Sequence, residues 1–378
     1  MRRKLRNRIA AVCLAAAPIG LFFWLLTPPE HNLFKRAQIV EPREDFVFPA
    51  RPSGTRGTAL QVDWPYCWLE PQTLLTLHSG AVSLGELQPR IVDLTSGLPL
   101  SNGLFADFPK YFPGEITIVG RPPGRIIMGS KFQMSPDGAW MLASRSTNVN
   151  SMAWGEVGCV AVRADIKRQV TWRTPGAIES SAWMRDSRHW AGLLRTHKGY
   201  AVRLFDVDGP SDTQSLSFDL KLDLSAAPAL AGTLPDGRLL AIAWDCTGDG
   251  CVHAARFFPD AEAEHPQNLR IPVPCGNYAQ PIVPPILSPD GSRLAWFVFA
   301  LKVPPGWPVT RRFWTFLKKA PSGRIGLWTT RPDGADAREV GSYTPRDQFD
   351  RPTLLQWTPD GKSLSFRHQG ALNKVPST

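Results

Sequence analysis

At 378 residues the chain is long enough for two average domains or one large all-β domain. Its 36 Pro, 31 Gly and 14 Trp exclude a helical bundle and favour short strands joined by many turns. A formal charge of +10 would suit nucleic acid, but five of the charges sit on Arg2, Arg3, Lys4, Arg6 and Arg8, leaving about +5 for the rest. The aromatic residues are interleaved with turns rather than with basic runs, so no nucleic-acid partner is expected.

Residues 1–8 read as a short basic cytoplasmic tail. The run from Ile9 to Leu26, IAAVCLAAAPIGLFFWLL, is 18 uncharged residues, enough for a helix to cross a bilayer, and Trp24 suits an interfacial position near its outer end. A cleaved signal peptide would have a shorter apolar stretch followed by a small-x-small site. Here the one such site, Ala15-Ala16-Ala17, is followed by Pro18 and more apolar residues. The expectation is therefore an uncleaved signal anchor over 9–26, in a single-pass membrane protein with a cytoplasmic N-terminus and everything after it extracytoplasmic. Residues 27–60, with Pro28, Pro29, Pro42, Pro49 and Pro52, read as a linker that turns strand-like near Asp45–Phe48 and holds possible closing strands.

A repeat begins beyond the linker. FQMSPDGAWMLAS (132–144), GTLPDGRLLAIAW (232–244), ILSPDGSRLAWF (286–297) and LQWTPDGKSLSFR (355–367) each place a Pro-Asp-Gly corner between two apolar runs. SAWMRDSRHWAGLL (181–194) and YCWLEPQTLLTL (66–77) are degenerate copies. Proline's fixed φ suits the first central position of a turn, Asp bonds to the backbone two residues on, and Gly takes the positive φ. The structural turn residues are thus Pro136, Asp137 and Gly138; Asp186; Pro235, Asp236 and Gly237; Pro289, Asp290 and Gly291; and Pro359, Asp360 and Gly361.

A second hairpin follows at a regular lag, in RIVDLTSGLPL (90–100), VAVRADIKRQVTWR (160–173), VRLFDVDGPSDTQSLS (202–217) and IGLWTTRPDGADAREV (325–340). Two hairpins per repeat make a four-stranded unit, and repeats of this length indicate propeller blades. The Ser-Pro-Asp-Gly hairpin, with Trp or an aliphatic residue shortly before Pro and an outer D-x-D-G hairpin, resembles the WD-repeat-like propeller repeats of the TolB family. Such repeats also occur in prolyl oligopeptidase-type peptidases. The resemblance covers about residue 60 to 378, and the six repeats indicate an all-β, six-bladed propeller of four-stranded blades over 61–378, preceded by the N-terminal transmembrane helix. Only ten residues follow His368, too few for two more strands, so strands from Ala37–Val40 and Phe46–Phe48 are expected to complete the last blade and remove an exposed edge.

Cys246 and Cys251 flank Thr-Gly-Asp-Gly, a hairpin spacing that suits a disulfide in an oxidising compartment. A reduced pair of small residues beside a turn is the alternative. Neither a zinc site nor a calcium loop is expected there: no second Cys or His pair is near, and Asp245 and Asp249 lack the alternating carboxylates and terminal Glu of such a loop. No cofactor or metal is expected elsewhere.

The chain has no G-x-S-x-G elbow, H-E-x-x-H or G-x-x-x-x-G-K-[ST], and its seven His are scattered without metal-ligand spacing. The remaining conspicuous stretch is LKVPPGWPVTRRFWTFLKKAPSGR, Leu301 to Arg324, far longer than a hairpin requires. In it Arg311, Arg312, Lys318 and Lys319 alternate with Trp307, Phe313, Trp314 and Phe316. That pattern suits a short interfacial helix touching a membrane or a partner, or aromatics packed on a blade with solvated bases beside them.

These readings combine into a membrane-anchored, extracytoplasmic propeller acting as a non-catalytic binding or scaffold module for a protein or peptide partner, with no catalytic residue assigned. The competing class is a propeller lyase or hydrolase whose active-site residues are pooled from several blades at the central channel.

Overall fold

The computed structural model describes residues 32–41, 45–47, 59–63, 66–79, 87–95, 99–100, 116–119, 125–128, 131–146, 155–161, 169–174, 177–196, 199–209, 217–220, 228–243, 250–259, 265–274, 279–301, 323–346 and 350–378. The first described element is a single helical turn, α1 (Leu33–Arg36), capped by the Asn32 side chain, which accepts from the Phe34 amide.

Strands follow in chain order: β1 (Gln38–Glu41), β2 (Asp45–Val47), β3 (Ala59–Asp63), β4 (Tyr66–Glu70), β5 (Thr73–Ser79), β6 (Leu87–Asp93) and β7 (Pro99–Leu100). Next come β8 (Ile116–Val119), β9 (Arg125–Met128), β10 (Lys131–Met134), β11 (Trp140–Ser146), β12 (Gly155–Ala161) and β13 (Gln169–Thr174). They continue with β14 (Ala177–Trp183), β15 (His189–Thr196), β16 (Gly199–Asp206), β17 (Ser217–Leu220), β18 (Pro228–Thr233), β19 (Leu239–Ala243), β20 (Cys251–Phe257) and β21 (Gln267–Pro272). The last are β22 (Ala279–Pro281), β23 (Ile286–Leu287), β24 (Leu294–Leu301), β25 (Gly323–Thr330), β26 (Arg338–Tyr343), β27 (Thr353–Trp357), β28 (Ser363–His368) and β29 (Ala371–Pro376).

Five antiparallel blades are built from strands that follow one another: β4–β7, β10–β13, β14–β17, β18–β21 and β22–β26. The ring is closed by a sheet of order β1-β29-β28-β27, in which β1 and β29 bring the two ends together. Each blade packs on the next, and its composition records its place. The second strand β19, Leu-Leu-Ala-Ile-Ala, is buried at every position because sheets cover both its faces. The outermost strand of the same blade, β21, exposes four of its six residues.

The core is divided among the gaps between sheets. Trp172, Trp190 and Phe205 fill the gap between the β10–β13 and β14–β17 blades, with Trp190 stacked on Phe205 at 3.9 Å between centroids. Leu33 of α1 is wholly buried with Phe297, Leu327, Phe366 and Val375, so the short helix belongs to the core between β22–β26 and the closing sheet. Arg36 secures it, donating to the Val340 carbonyl and, at 2.8 Å, to the carbonyl of Thr378.

The expected fold class is corrected. The propeller has five blades of consecutive strands rather than six alike. The fifth carries five strands, because Pro284 and Pro285 separate β22 from β23 and both pair with β24. A further sheet, β2-β3-β9-β8, contains a parallel pair that no hairpin repeat anticipates. The transmembrane helix is not supported: among the described residues no helix is long and apolar enough to cross a membrane. α1 is four residues, about 6 Å, against the ~30 Å of a hydrocarbon core. The signal anchor at 9–26 and the tail at 1–8 lie outside the described residues, and the single-pass localisation with a cytoplasmic N-terminus is withdrawn with the helix.

Candidate functional site

The Pro-Asp-Gly corners gather at one end of the sheets, where each joins the innermost strand of its blade to the next. Three of them, headed by Ser135, Ser288 and Thr358, share one local chemistry. In Ser135–Gly138 the Gly138 amide donates to the Ser135 carbonyl at 2.9 Å, the Ser135 hydroxyl donates to Asp137 at 2.6 Å, and Asp137 accepts from the Ala139 amide at 2.9 Å. The same hydroxyl accepts from the Trp140 amide at 2.9 Å, so Ser and Asp together satisfy the mouth of the hairpin. Ser288 with Asp290, and Thr358 with Asp360, repeat this arrangement.

These bonds set the carboxylates' acidity. Partial burial works against Asp290, but the hydroxyls of Ser288 and Ser292 outweigh it and hold the group below its ordinary value. Asp360 is depressed in the same way, against burial, by the Thr358 hydroxyl and the Lys362 amide. For Asp236 the side chain of Arg238 is the main cause, and for Asp186 the bonds from His189 overcome the effect of burial.

The corners are also joined to one another. The Asp137 amide donates to the Ser187 hydroxyl at 3.0 Å, and Arg185 donates to the Asp290 carbonyl, reaching past the intervening β18–β21 blade. A Cβ on Gly291, whose φ is +71°, would stand 2.7 Å from the Thr233 carbonyl, so only glycine allows these two blades to approach so closely. At two corners the residue two before the turn proline faces the preceding sheet: the Trp357 indole donates to Ile286 at 3.2 Å, and Thr233 donates to Trp183 at 2.7 Å. Trp183, at the matching position of the degenerate copy, donates to Gln133 at 3.1 Å. The ring closes through Tyr66 and Trp68 of β4, which donate to Leu354 and Ser365 of the closing sheet at 2.6 and 2.7 Å.

Between the corner of the β22–β26 blade and that of the closing sheet lies a cleft of about 280 Å³, lined by Asp290, Arg293, Arg338, Trp357, Asp360 and their neighbours. Both its arginines are engaged by Asp336, with Arg293 at 2.6 Å and Arg338 at 3.0 Å. Asp336 holds this bridging position in a left-handed conformation, φ 51°, uncommon for a side chain.

All thirteen predicted turn residues thus meet on one face. Trp307, Arg311, Arg312, Phe313, Trp314, Phe316, Lys318 and Lys319 lie outside the described residues. The disulfide expectation is not supported: Cys251 opens β20 opposite Pro272, no disulfide is formed among the described residues, and Cys246 lies outside them. At the far end of the sheets, sequence reasoning missed a buried pair, His368 and Asp350 at 2.6 Å, whose imidazole packs 4.6 Å from the Phe34 ring. Its members stand 18 positions apart and belong to no motif, so no linear signal marked them. Among the described residues no group of three or more His, Cys, Asp or Glu is arranged to hold a metal.

Corner hairpins on the inner strands, blades arranged in a ring and closure through β1 and β29 define a β-propeller. No family model and no curated protein matches the chain. Solved structures do. TolB from Acinetobacter baumannii is 12% identical with a TM-score of 0.44, over 81% of this chain and 63% of that one. A putative TolB from Agrobacterium tumefaciens is 14% identical with a TM-score of 0.44, over 83% and 89%. Hydrazine synthase from Kuenenia stuttgartiensis is 14% identical with a TM-score of 0.45, over 84% and 77%. At these identities the likeness concerns the fold alone.

Proposed function

We propose that the chain is a non-catalytic binding or scaffold module that recognises a protein partner through the turn-bearing face. The observation that carries this reading is the mutual fastening of the corners: they expose Pro136, Asp137, Pro235, Asp236, Pro289, Asp290, Pro359 and Asp360 on a surface whose backbone is fixed before any partner arrives. Pre-organisation of this kind lowers the ordering cost of association. TolB-like propellers generally bind proteins, which agrees with the reading. The Leu301–Arg324 insertion, with Trp307, Arg311, Arg312, Phe313, Trp314, Phe316, Lys318 and Lys319, is proposed as a second contact with the same partner.

The test is capture on the full chain followed by reconstitution with the purified partner, measured by calorimetry. Charge reversal at the turn face, Arg185→Glu, is expected to weaken the complex about tenfold or more, as for a rim or core charge at an interface. Arg195→Glu, on an exposed residue at the far end of β15, is expected to leave it unchanged. Equal effects of both substitutions, or steady turnover of a small molecule by the purified chain, would overturn the proposal.

A further inference from the structure

One histidine joins three parts of the molecule that lie far apart in sequence. His368 ends β28, and its Nε2 stands 2.6 Å from an oxygen of Asp350, in the segment between β26 and β27. The two side chains are 11% and 6% exposed, so the pair sits largely out of water. Burial works against the charge on Asp350, but the Arg346 amide, the Gln369 side chain and His368 outweigh it and hold the carboxyl below its ordinary value. The carboxylate therefore stays charged throughout the range in which histidine titrates. Tyr343 of β26 fixes the segment that carries it, donating to the Asp350 carbonyl at 2.8 Å.

The other side of the imidazole belongs to α1. The Phe34 ring lies 4.6 Å from it, tilted by 35°, and Tyr343 lies 5.2 Å away, edge-on, and touches Phe34 at 4.9 Å. An imidazolium in this place gains an ion pair with a buried carboxylate and the attraction of an aromatic face, whereas a neutral imidazole keeps at most the hydrogen bond. Among the described residues, the charged groups on the surrounding elements are Lys35 and Arg36 of α1, Glu339 of β26, Arg346 and Arg351 beside Asp350, and Arg367 of β28. Arg36 is engaged by the Val340 and Thr378 carbonyls, Glu339 by Arg324, and Arg367 turns towards Tyr66 and Thr76. Phe34 adjoins the wholly buried Leu33, so what holds its ring also holds the segment that closes the ring of blades.

We propose that His368 is a pH-sensitive clasp for α1 and β1: protonated, it ties α1 to the Asp350 segment, and on losing its proton it lets residues 32–41 open more often. Its contribution is present in full below about pH 6.5, the ordinary value for an unfolded histidine, and is lost as pH rises through the titration of the folded group. The clasp lies at the opposite end of the sheets from the turn-bearing face and operates without a partner.

Hydrogen exchange of the full chain, expressed as protection relative to the intrinsic rate at each pH, is the direct experiment between about pH 5 and pH 8, where histidine changes charge. Residues 32–41 are expected to lose protection about tenfold across that range, in line with the difference between charged and neutral hydrogen bonds, while β15 and β16 keep theirs. The Cε1 proton of His368, followed by NMR, is expected to titrate over the same interval. His368→Gln retains a donor for Asp350 and cannot titrate, so its 32–41 segment is expected to show the parent's high-pH protection at every pH. His189→Gln, which alters the histidine paired with Asp186 at the turn end, is expected to leave the pH dependence intact. Unchanged protection of 32–41, equal loss in β15 and β16, titration of His368 outside the interval, or pH dependence that survives in His368→Gln would each overturn the proposal. If the glutamine variant does not fold, the parent's protection profile and imidazole titration decide between the same outcomes.

Discussion

Ser187 shows what a departure from a repeat can accomplish. It stands where the other corners have Gly138, Gly237, Gly291 and Gly361, and it adopts the same left-handed backbone, φ 56°, at a cost a glycine would not carry. In return its hydroxyl accepts the Asp137 amide of the neighbouring blade, a bond glycine lacks. Arg185, in place of proline, likewise gains a contact with Asp290. The copy that looked degenerate is therefore the one that fastens other corners to itself. Ser187→Ala is expected to lower stability by about 1 kcal/mol or more, since it loses the bond and keeps the strain. Ser187→Gly loses the same bond and sheds about 1 to 2 kcal/mol of strain, so urea unfolding should rank Gly above Ala. The corner motif was legible in the sequence because its bonds run between residues at most five apart. The bonds of Ser187 and Arg185 span 50 and 105 positions and left no local trace.

At the scale of elements, α1 and β1 are small and their roles differ sharply. α1 is a single turn, yet Leu33 is fully buried in a cluster with side chains from three strands of the fifth blade and three of the closing sheet. Leu33→Ala is expected to cost about 2 to 5 kcal/mol, as much as a deletion inside a blade, when measured by chemical denaturation. Six residues on, Ile39 is 63% exposed on the outermost strand of the closing sheet, and Ile39→Thr should stay within about 0.5 kcal/mol of the parent. The strand positions of the inner hairpins were readable from apolar runs ended by turn residues. The β2-β3-β9-β8 sheet was not, because its parallel contact joins Gln61–Asp63 to Arg125–Ile127 and no short-range pattern encodes such a pairing. The split of β22 from β23 had a visible cause in Pro284-Pro285, but whether a proline pair ends a strand or divides it depends on the partner strand's length.

For the whole molecule, the carboxylates at the hairpin corners set a common acid limit. Asp186, Asp236, Asp290 and Asp360 are all held below their ordinary value, and the Arg188 guanidinium holds Asp206 at about 2. Groups depressed by folding contribute stability above their unfolded value, about 3.9, and lose it as pH falls through the folded one. Urea midpoints are therefore expected to change little through these groups above about pH 5 and to fall steadily between about pH 4 and pH 2, with Asp206→Asn flattening the lowest part of the fall. Count and closure were harder to read than chemistry at this scale: repeats locate hairpins, but how many blades form from consecutive strands depends on which sheet the chain ends join. That joining also orders events in time. Gln38 pairs with Lys374, and a ribosome adding about 5 to 20 residues per second would finish the second strand roughly 17 to 70 seconds after the first. Each blade of consecutive strands can form as it emerges. The segment around Leu33 and Ile39 must wait until residues 371–376 have been made, and during that interval its apolar side chains are uncovered and open to chaperones and proteases.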